Sequence, residues 1–394
     1  MQKKGIKSRM IANNIDYESA YYGFNDYISA NKLSDAFYHT EMVSSWKEMT
    51  QHFQIHVMLN LYKLQFALLT GEYKQDPFYE FDINERGKPR HIKAQITKDR
   101  VVQRTVSDNI LAPSLTPYLI YDNGASIKNK GVTFSRDRMT KHLTEYVKHH
   151  GIDGWILQID FKGFFDSIPH KELLFEVGKH IDDPNAMKII AEMVNAFELE
   201  DDKNRSLGIG SQISQICGTF YPTKVDTYCK IVRSMKYYGR YMDDIYVISD
   251  DKDELKDILK NIKRIADELG LTLSKNKTHI TPLHKGFTFL KIKYNILDNG
   301  RILRRIVPKA ITRERRKLKK YRRKLDLGEL PYSEVEQAFK TWYYNYITFD
   351  SRRSVHEVLR LFLSLFCNEI QFYSNDVKLL TLLEKTTLIR EYAR

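Results

Sequence analysis

At 394 residues the chain is long for one domain, and a hydrophobic share of 42% can fill more than one core. Its formal charge of +13 points to an anionic partner. No apolar run is long enough to span a bilayer and the N-terminus lacks a secretory apolar stretch, so no membrane partner is expected. Cys217, Cys229 and Cys367 form no Cys-x-x-Cys pair, which argues against a zinc site or disulfide framework and fits a cytoplasmic protein.

Residues 1–50 read as a polar, Tyr- and Asn-rich N-terminal extension, and Trp46 to Leu69 as helix. Tyr79 to Ile96 has the pattern of a hairpin turning across Asn84–Pro89. Asp99 to Leu111 is helical in pattern, broken by Pro113 and Pro117; a Gly- and Lys-rich loop over 122–135 leads into a helix ending at His150. Trp155 to Asp160 reads as a buried strand and Lys171 to Phe197 as helices. Leu255, Ile258, Leu259, Ile262, Ile265, Ala266 and Leu269 mark one face of a helix, with Gly270 placed to cap it. One strand pair is expected across Phe287–Ile306, turning at Asp298-Asn299-Gly300.

Thirteen Lys or Arg crowd Arg301–Lys324 against the single acid Glu314. Ile311, Leu318, Tyr321 and Leu325 recur there at near-helical spacing, so one side can pack while the other holds phosphates. Arg304, Arg305, Arg315, Arg316, Lys319 and Lys320 are the candidate contacts to nucleic acid. His52 and His56 lie four apart without a third ligand and read as an ordinary surface pair.

Two acidic motifs carry the chemistry. Tyr241-Met242-Asp243-Asp244 joins two β-rich runs, which predicts a hairpin with both carboxylates at its tip. Asp160 ends an apolar strand upstream, in Ile159-Asp160-Phe161-Lys162-Gly163-Phe164-Phe165-Asp166. Three carboxylates at one point need a cation, and hard divalent ions such as Mg²⁺ suit an all-oxygen site.

In order and spacing the two motifs resemble those of reverse transcriptases of bacterial retroelements. The resemblance implies an α+β, right-hand polymerase fold: fingers over 51–154, an antiparallel palm with helices over 155–300 (finger helices inserted at about 171–205), and a basic helical thumb over 301–394. It implies an RNA-directed DNA polymerase in which Asp160, Asp243 and Asp244 hold two Mg²⁺. Its partners would be deoxynucleotides, a template or non-coding RNA and the cDNA, with an accessory protein or self-assembly as further possibilities. Residue by residue, Lys88 and Arg90 match the basic fingers hairpin that grips the triphosphate. Phe165 falls where an aromatic ring excludes a 2′-hydroxyl; strand alternation would put only one of Phe164 and Phe165 on the side of Asp160. Lys277 matches a lysine that protonates the departing pyrophosphate.

Lys128 and Lys130, further candidate contacts to nucleic acid, match a loop that usually carries Arg in the family, and Lys291 stands where the family often has Gly; with Gly218 these are departures from its pattern. Ile209-Gly210-Ser211-Gln212-Ile213-Ser214-Gln215 resembles the form found in diversity-generating retroelements, with defence-associated bacterial enzymes as close relatives. Gly210 and Gln215 are its candidate nucleotide contacts, and the aliphatic Ile209 removes a hydrogen-bonding group near the nascent pair. The alternatives are a template-independent DNA polymerase of an antiviral system and a silent RNA-binding scaffold.

Overall fold

A computed structural model describes residues 23–373, apart from Val43, Arg86, Gly87, Glu200 and Asp201, together with Thr381. Residues 1–22 of the expected extension, and the chain beyond 373 save Thr381, lie outside the described residues.

Helix α1 (Ala30–Met42) buries Leu33, Ala36 and Phe37. The helix expected over Trp46–Leu69 is two, α2 (Glu48–Ile55) and α3 (Val57–Thr70), because His56 leaves helical geometry at φ −124°, ψ 41°. Strands β1 (Tyr79–Glu85) and β2 (Lys88–Ala94) form the expected hairpin, in a register from Tyr79↔Ala94 to Glu85↔Lys88.

Helix α4 (Thr97–Val106) does not stop at Pro113. It passes through a π turn, Ser107–Leu111, and resumes as Ala112–Leu115. The π turn shifts the bonding frame, so that Pro113 falls in the first turn of the new segment, where its missing N–H costs nothing. Helix α5 (Val132–His150) follows the loop.

The sheet that carries the acidic motifs is built from β3 (Trp155–Ile159), β4 (Tyr238–Tyr241), β5 (Asp244–Ser249) and β6 (His279–Pro282), in the order β4-β5-β3-β6. Ile156, Leu157 and Ile159 on β3 and Ile245 through Ile248 on β5 are all buried, so these strands read as continuous apolar runs rather than alternating ones. Between β3 and β4 come helices α6 (His170–Gly178), α7 (Pro184–Asn195), α8 (Gln212–Phe220) and α9 (Thr223–Thr227). Helix α10 (Lys252–Glu268) packs on β5 through the predicted face. The Asp251 side chain caps its first turn by accepting from the Asp253 and Glu254 amides, and Gly270 (φ 68°) follows its end.

The expected strand pair over Phe287–Ile306 is a three-stranded meander: β7 (Phe287–Phe289), β8 (Ile292–Ile296) and β9 (Ile302–Ile306). The extra turn, Leu290-Lys291, has both residues at positive φ (44° and 69°) between paired Phe289 and Ile292. A turn with neither Gly nor Asn gives no sequence signal. Helices α11 (Pro308–Asp326), α12 (Tyr332–Tyr346), α13 (Arg352–Leu365) and α14 (Cys367–Tyr373) share an apolar core. Leu318, Val355 and Phe366 are buried in it, and the Phe339 and Phe362 rings stack at 3.8 Å.

The chain divides into two compact units. One holds the residues up to Arg138 together with Ile156–Ile280, and the other Met139–Trp155 with Thr281 onward.

Candidate active site

Pairing of Tyr241 with Asp244 closes the β4–β5 hairpin around a two-residue turn, Met242-Asp243, with Met242 at φ 54°. Holding an unbranched non-glycine residue there costs on the order of 1 kcal/mol, so the turn must be held from outside. Most of that hold comes from Arg240. Its side chain is wholly buried and donates to both carboxylate oxygens of Asp226, at 2.8 and 2.6 Å. It also donates to the Met242 carbonyl (3.2 Å) and the Thr219 carbonyl (2.8 Å), while Tyr238 Oη donates to Asp226 at 2.6 Å. The Thr219 hydroxyl lies 3.3 Å from Met242 Sδ. Helices α8 and α9 are thereby tied to the turn. Reading the sequence alone missed Arg240; its signal is a cation inside the apolar run Tyr237-Tyr238-Gly239-Arg240-Tyr241.

Asp160 follows β3, the strand beside β5, and is 5% exposed. The backbone beyond it runs against residues 272–274: Ser274 N donates to Asp160 O, Lys162 N to Thr272 O, and Phe161 pairs with Leu273. That pairing, with the turn after Ser274, carries Lys277 back to the site, where its Nζ donates to Asp160 Oδ2 at 2.6 Å. Burial first, then the neighbouring Asp243 and Asp160 charges, push Asp244 up to about 7. Burial and Asp160 raise Asp243, against the opposing pull of Lys277 and Arg90. The Lys277 pKa is raised, first by its hydrogen bond to Asp160. The three carboxylates are close enough to repel, and one lysine does not compensate them. Among the described residues no three His, Cys, Asp or Glu are disposed to hold a metal ion directly, and the cation against Asp160 is the lysine. The donor set of three under-neutralised carboxylates is nevertheless the chemistry a hard divalent ion takes.

Phe164 and Phe165 do not alternate on a strand. Gly163 enters the left-handed region (φ 56°) and Phe164–Ser167 is one helical turn. Phe164 is buried against Phe161, and Phe165 is half-buried at right angles to it. The Phe165 ring lies on Gly218 of α8, where a Cβ would come within 3.2 Å of it. Gly218 therefore lets this helix lie flat on the ring.

In the Ser-Gln motif, Ser214 is fully buried and its hydroxyl donates to the Leu207 carbonyl, whereas Gln215 is exposed. Gly210 is exposed at φ 102° with open space around it, so backbone geometry rather than crowding requires the glycine. Arg90, opposite Ile83 in the β1–β2 hairpin, lies near enough to lower the Asp243 pKa. Lys88 is in β2, and its side chain lies outside what is described, as does all of Arg86. Lys128 is exposed. Lys130 is committed to its own loop: its ammonium donates to the Tyr121 and Asn123 carbonyls and sits over the Tyr121 and Phe134 rings.

In the second unit the basic cluster splits. Arg315 is bound to Glu357 at 2.7 Å, Arg322 to Glu369 and Asp326, and Arg304 lies over the Phe349 ring with its amide on Asp350. Lys309, Arg313, Arg316, Lys319, Lys320 and Arg323 are exposed along one side of α11, and Arg305 is exposed on β9. Arg313, Lys309 and Arg323 belong with the sequence-predicted Arg316, Lys319 and Lys320; Arg315 does not.

The profile of the family described as Reverse transcriptase (RNA-dependent DNA polymerase) matches residues 73–294, more than half of the chain. The chain belongs to the reverse transcriptase family. Among relatives of this reverse transcriptase, the COX1/OXI3 intron 1 protein of Saccharomyces cerevisiae is 24% identical over 286 residues, covering 57% of this chain and 33% of that protein. Protein YkfC of Escherichia coli is 23% identical over 281 residues, covering 60% and 71%. The chain thus spans about a third of the yeast protein. A solved telomerase from Candida albicans, in complex with a fragment of telomeric RNA, superposes with a TM-score of 0.50 at 14% identity, covering 81% of this chain and 61% of that one. The fold is the right-hand polymerase fold, with mixed helices and antiparallel sheets.

Proposed function

We propose that this protein is an RNA-directed DNA polymerase that copies a dedicated template or non-coding RNA into cDNA, within a diversity-generating retroelement or an anti-phage defence system. The convergence of Asp160, Asp243 and Asp244, with Lys277 on Asp160 and Arg90 close by, carries the reading. In this reading residues 51–154 are fingers, 155–300 palm and 301–394 thumb. Asp160, Asp243 and Asp244 would hold two Mg²⁺. Bound there, the ions supply activation of a primer 3′-hydroxyl and charge neutralisation at the pyrophosphate. Arg90 and Lys88 clamp the triphosphate, Arg90 through its forked donors. Lys277 is held as an ammonium and carries the proton for the leaving group. Phe165, braced on Gly218, bars a 2′-hydroxyl, and the exposed cations of α11 track the duplex phosphates.

The Ile209–Gln215 motif favours the two biological settings named. No described helix is long and apolar enough to cross a membrane, and we place the work in the cytoplasm.

The deciding experiment purifies the tagged protein from cells carrying its native locus and sequences the bound nucleic acid, beside an Asp243→Ala variant. DNA with the wild type and none with the variant supports polymerisation, and its sequence names the template. RNA without DNA in both samples moves the reading to an RNA-binding scaffold.

A further inference from the structure

Helix α3 is apolar on two sides. Lys63 is the single charge among its fourteen residues. Leu61, Leu64 and Leu68 are buried where the helix packs with α1 and α2. A helix buried on one side ordinarily shows water a charged or polar face on the other. Here Met58, Leu59, Tyr62 and Phe66 turn outward instead and are between 51% and 74% exposed. Met58, Tyr62 and Phe66 stand four residues apart, so they line up as one ridge about 12 Å long, with Leu59 beside it.

At about 150–250 Å² for each large side chain, these exposures leave about 500 Å² of apolar surface open to water. A contiguous patch of that size marks a contact surface. Two such faces brought together bury about 1,000 Å², the least that a specific interface needs.

The order of residues along the ridge points to what covers it. Met58 lies four residues before Tyr62, and Phe66 four residues after. A two-fold axis through Tyr62 therefore sets Met58 against the partner's Phe66, Phe66 against the partner's Met58, and the two Tyr62 rings against each other. Thioether on ring and ring on ring are both favourable contacts. Such self-complementarity is what an isologous interface requires, and a foreign protein would not require it. A membrane surface fits less well, because a helix lying in a bilayer interface carries rows of Lys and Arg beside its apolar face, and α3 has one lysine.

We propose that the outer face of α3 is a homodimer interface, on which a second copy of this chain docks through the same helix about a two-fold axis at Tyr62. None of Asp160, Asp243 and Asp244 lies on this helix, and the docking stands apart from the polymerase reading.

An interface of this size has a Kd in the micromolar range, so the full-length protein is followed by sedimentation velocity from about 1 to 100 µM. Salt is held at about 0.5 M, where phosphate contacts are weak and nucleic acid no longer bridges two copies. The wild type is expected to pass from monomer to dimer across this range. Tyr62→Glu sets two carboxylates on the axis and should raise the midpoint at least about tenfold. Its site is exposed, so its melting temperature should match that of the wild type; if it does not fold, Phe66→Glu decides by the same midpoint. Tyr62→Cys, with the exposed Cys367 replaced by Ser, should give a disulfide-linked dimer under mild oxidation, because a residue on the axis meets its own copy. Met58→Cys in the same background should link far less. A monomer at every concentration overturns the proposal, as does a dimer whose midpoint neither glutamate variant moves. A dimer that Tyr62→Glu breaks but that links no better through position 62 than through 58 overturns the two-fold axis.

Discussion

Asp226, on α9 and bonded to the hairpin residues Tyr238 and Arg240, and Asp244, at the hairpin's turn, meet opposite fates. Asp226 is wholly buried, yet both its oxygens are taken by Arg240 and one also by Tyr238. Asp244 is only partly buried, but its neighbours Asp243 and Asp160 are themselves negative and its pKa is pushed up to about 7. A buried carboxylate with a complete set of donors serves the fold. One whose neighbours repel it is left in want of a cation. The two are joined through Arg240, which spends two contacts on Asp226 and one on the carbonyl of Met242, the residue before Asp243.

The largest expected effects separate these roles. Asp243→Ala should lower nucleotide incorporation by at least about 10²–10³-fold, the size of losing one preorganised charge contact in a transition state. Its midpoint in denaturant, measured without metal, should be unchanged or higher, because a repulsion is removed. Asp226→Ala leaves Arg240 buried without its acid and should cost about 3–5 kcal/mol in the same denaturation measurement. If Asp226→Ala were as stable as wild type, the contrast between paired and unpaired acids would collapse. Arg240→Lys is the sharper variant: one ammonium cannot serve Asp226, Thr219 and Met242 together. It should fold, yet lose about 10–100-fold in rate, as supporting contacts to metal ligands do.

A smaller effect is in pH. Asp244 is raised from 3.8 to about 7, and Asp99, buried under Tyr73, to about 6. In both cases the folded chain holds a proton that the unfolded chain releases. The stability they contribute is fully present below pH about 4 and is lost as pH rises to about 7. Melting temperatures in EDTA should fall across this window for the wild type and less steeply for Asp244→Asn; an identical slope would show that Asp244 is not repelled in solution. The smallest effect is expected from Arg316→Gln with Lys320→Gln, a drop of about 1–2 in the salt slope for duplex binding, with Arg315→Gln close to wild type.

The acidic site was legible because its chemistry is local in sequence. Carboxylates at the ends of apolar strands are anomalies that the sequence itself exposes, and they mark Asp160, Asp243 and Asp244 as candidates. Lys277 could be placed only through family likeness, since a lysine in a polar loop is unremarkable until residues 272–274 pair behind Asp160. The expected strand alternation of Phe164 and Phe165 is not found, because Gly163 turns the chain into a helical turn. Pro113 and the Leu290-Lys291 turn were misjudged for a related reason: one residue of local chemistry was weighed where a π turn and a strand register prevailed.

What the sequence determined by itself is the order of strands and helices around two acidic motifs, the amphipathic face of α10 and the excess of positive charge, since all of these are periodicities or densities along the chain. Which charges are in use was decided by tertiary structure. Lys130 and Arg315 are consumed by partners at 2.7 Å, Arg240 is sealed beneath the Met242-Asp243 turn, and Arg100 lies half-buried with no ion pair among the described residues. A side chain's charge is written in its residue type, but its free energy depends on the dielectric and the donors around it, and only the folded chain sets those.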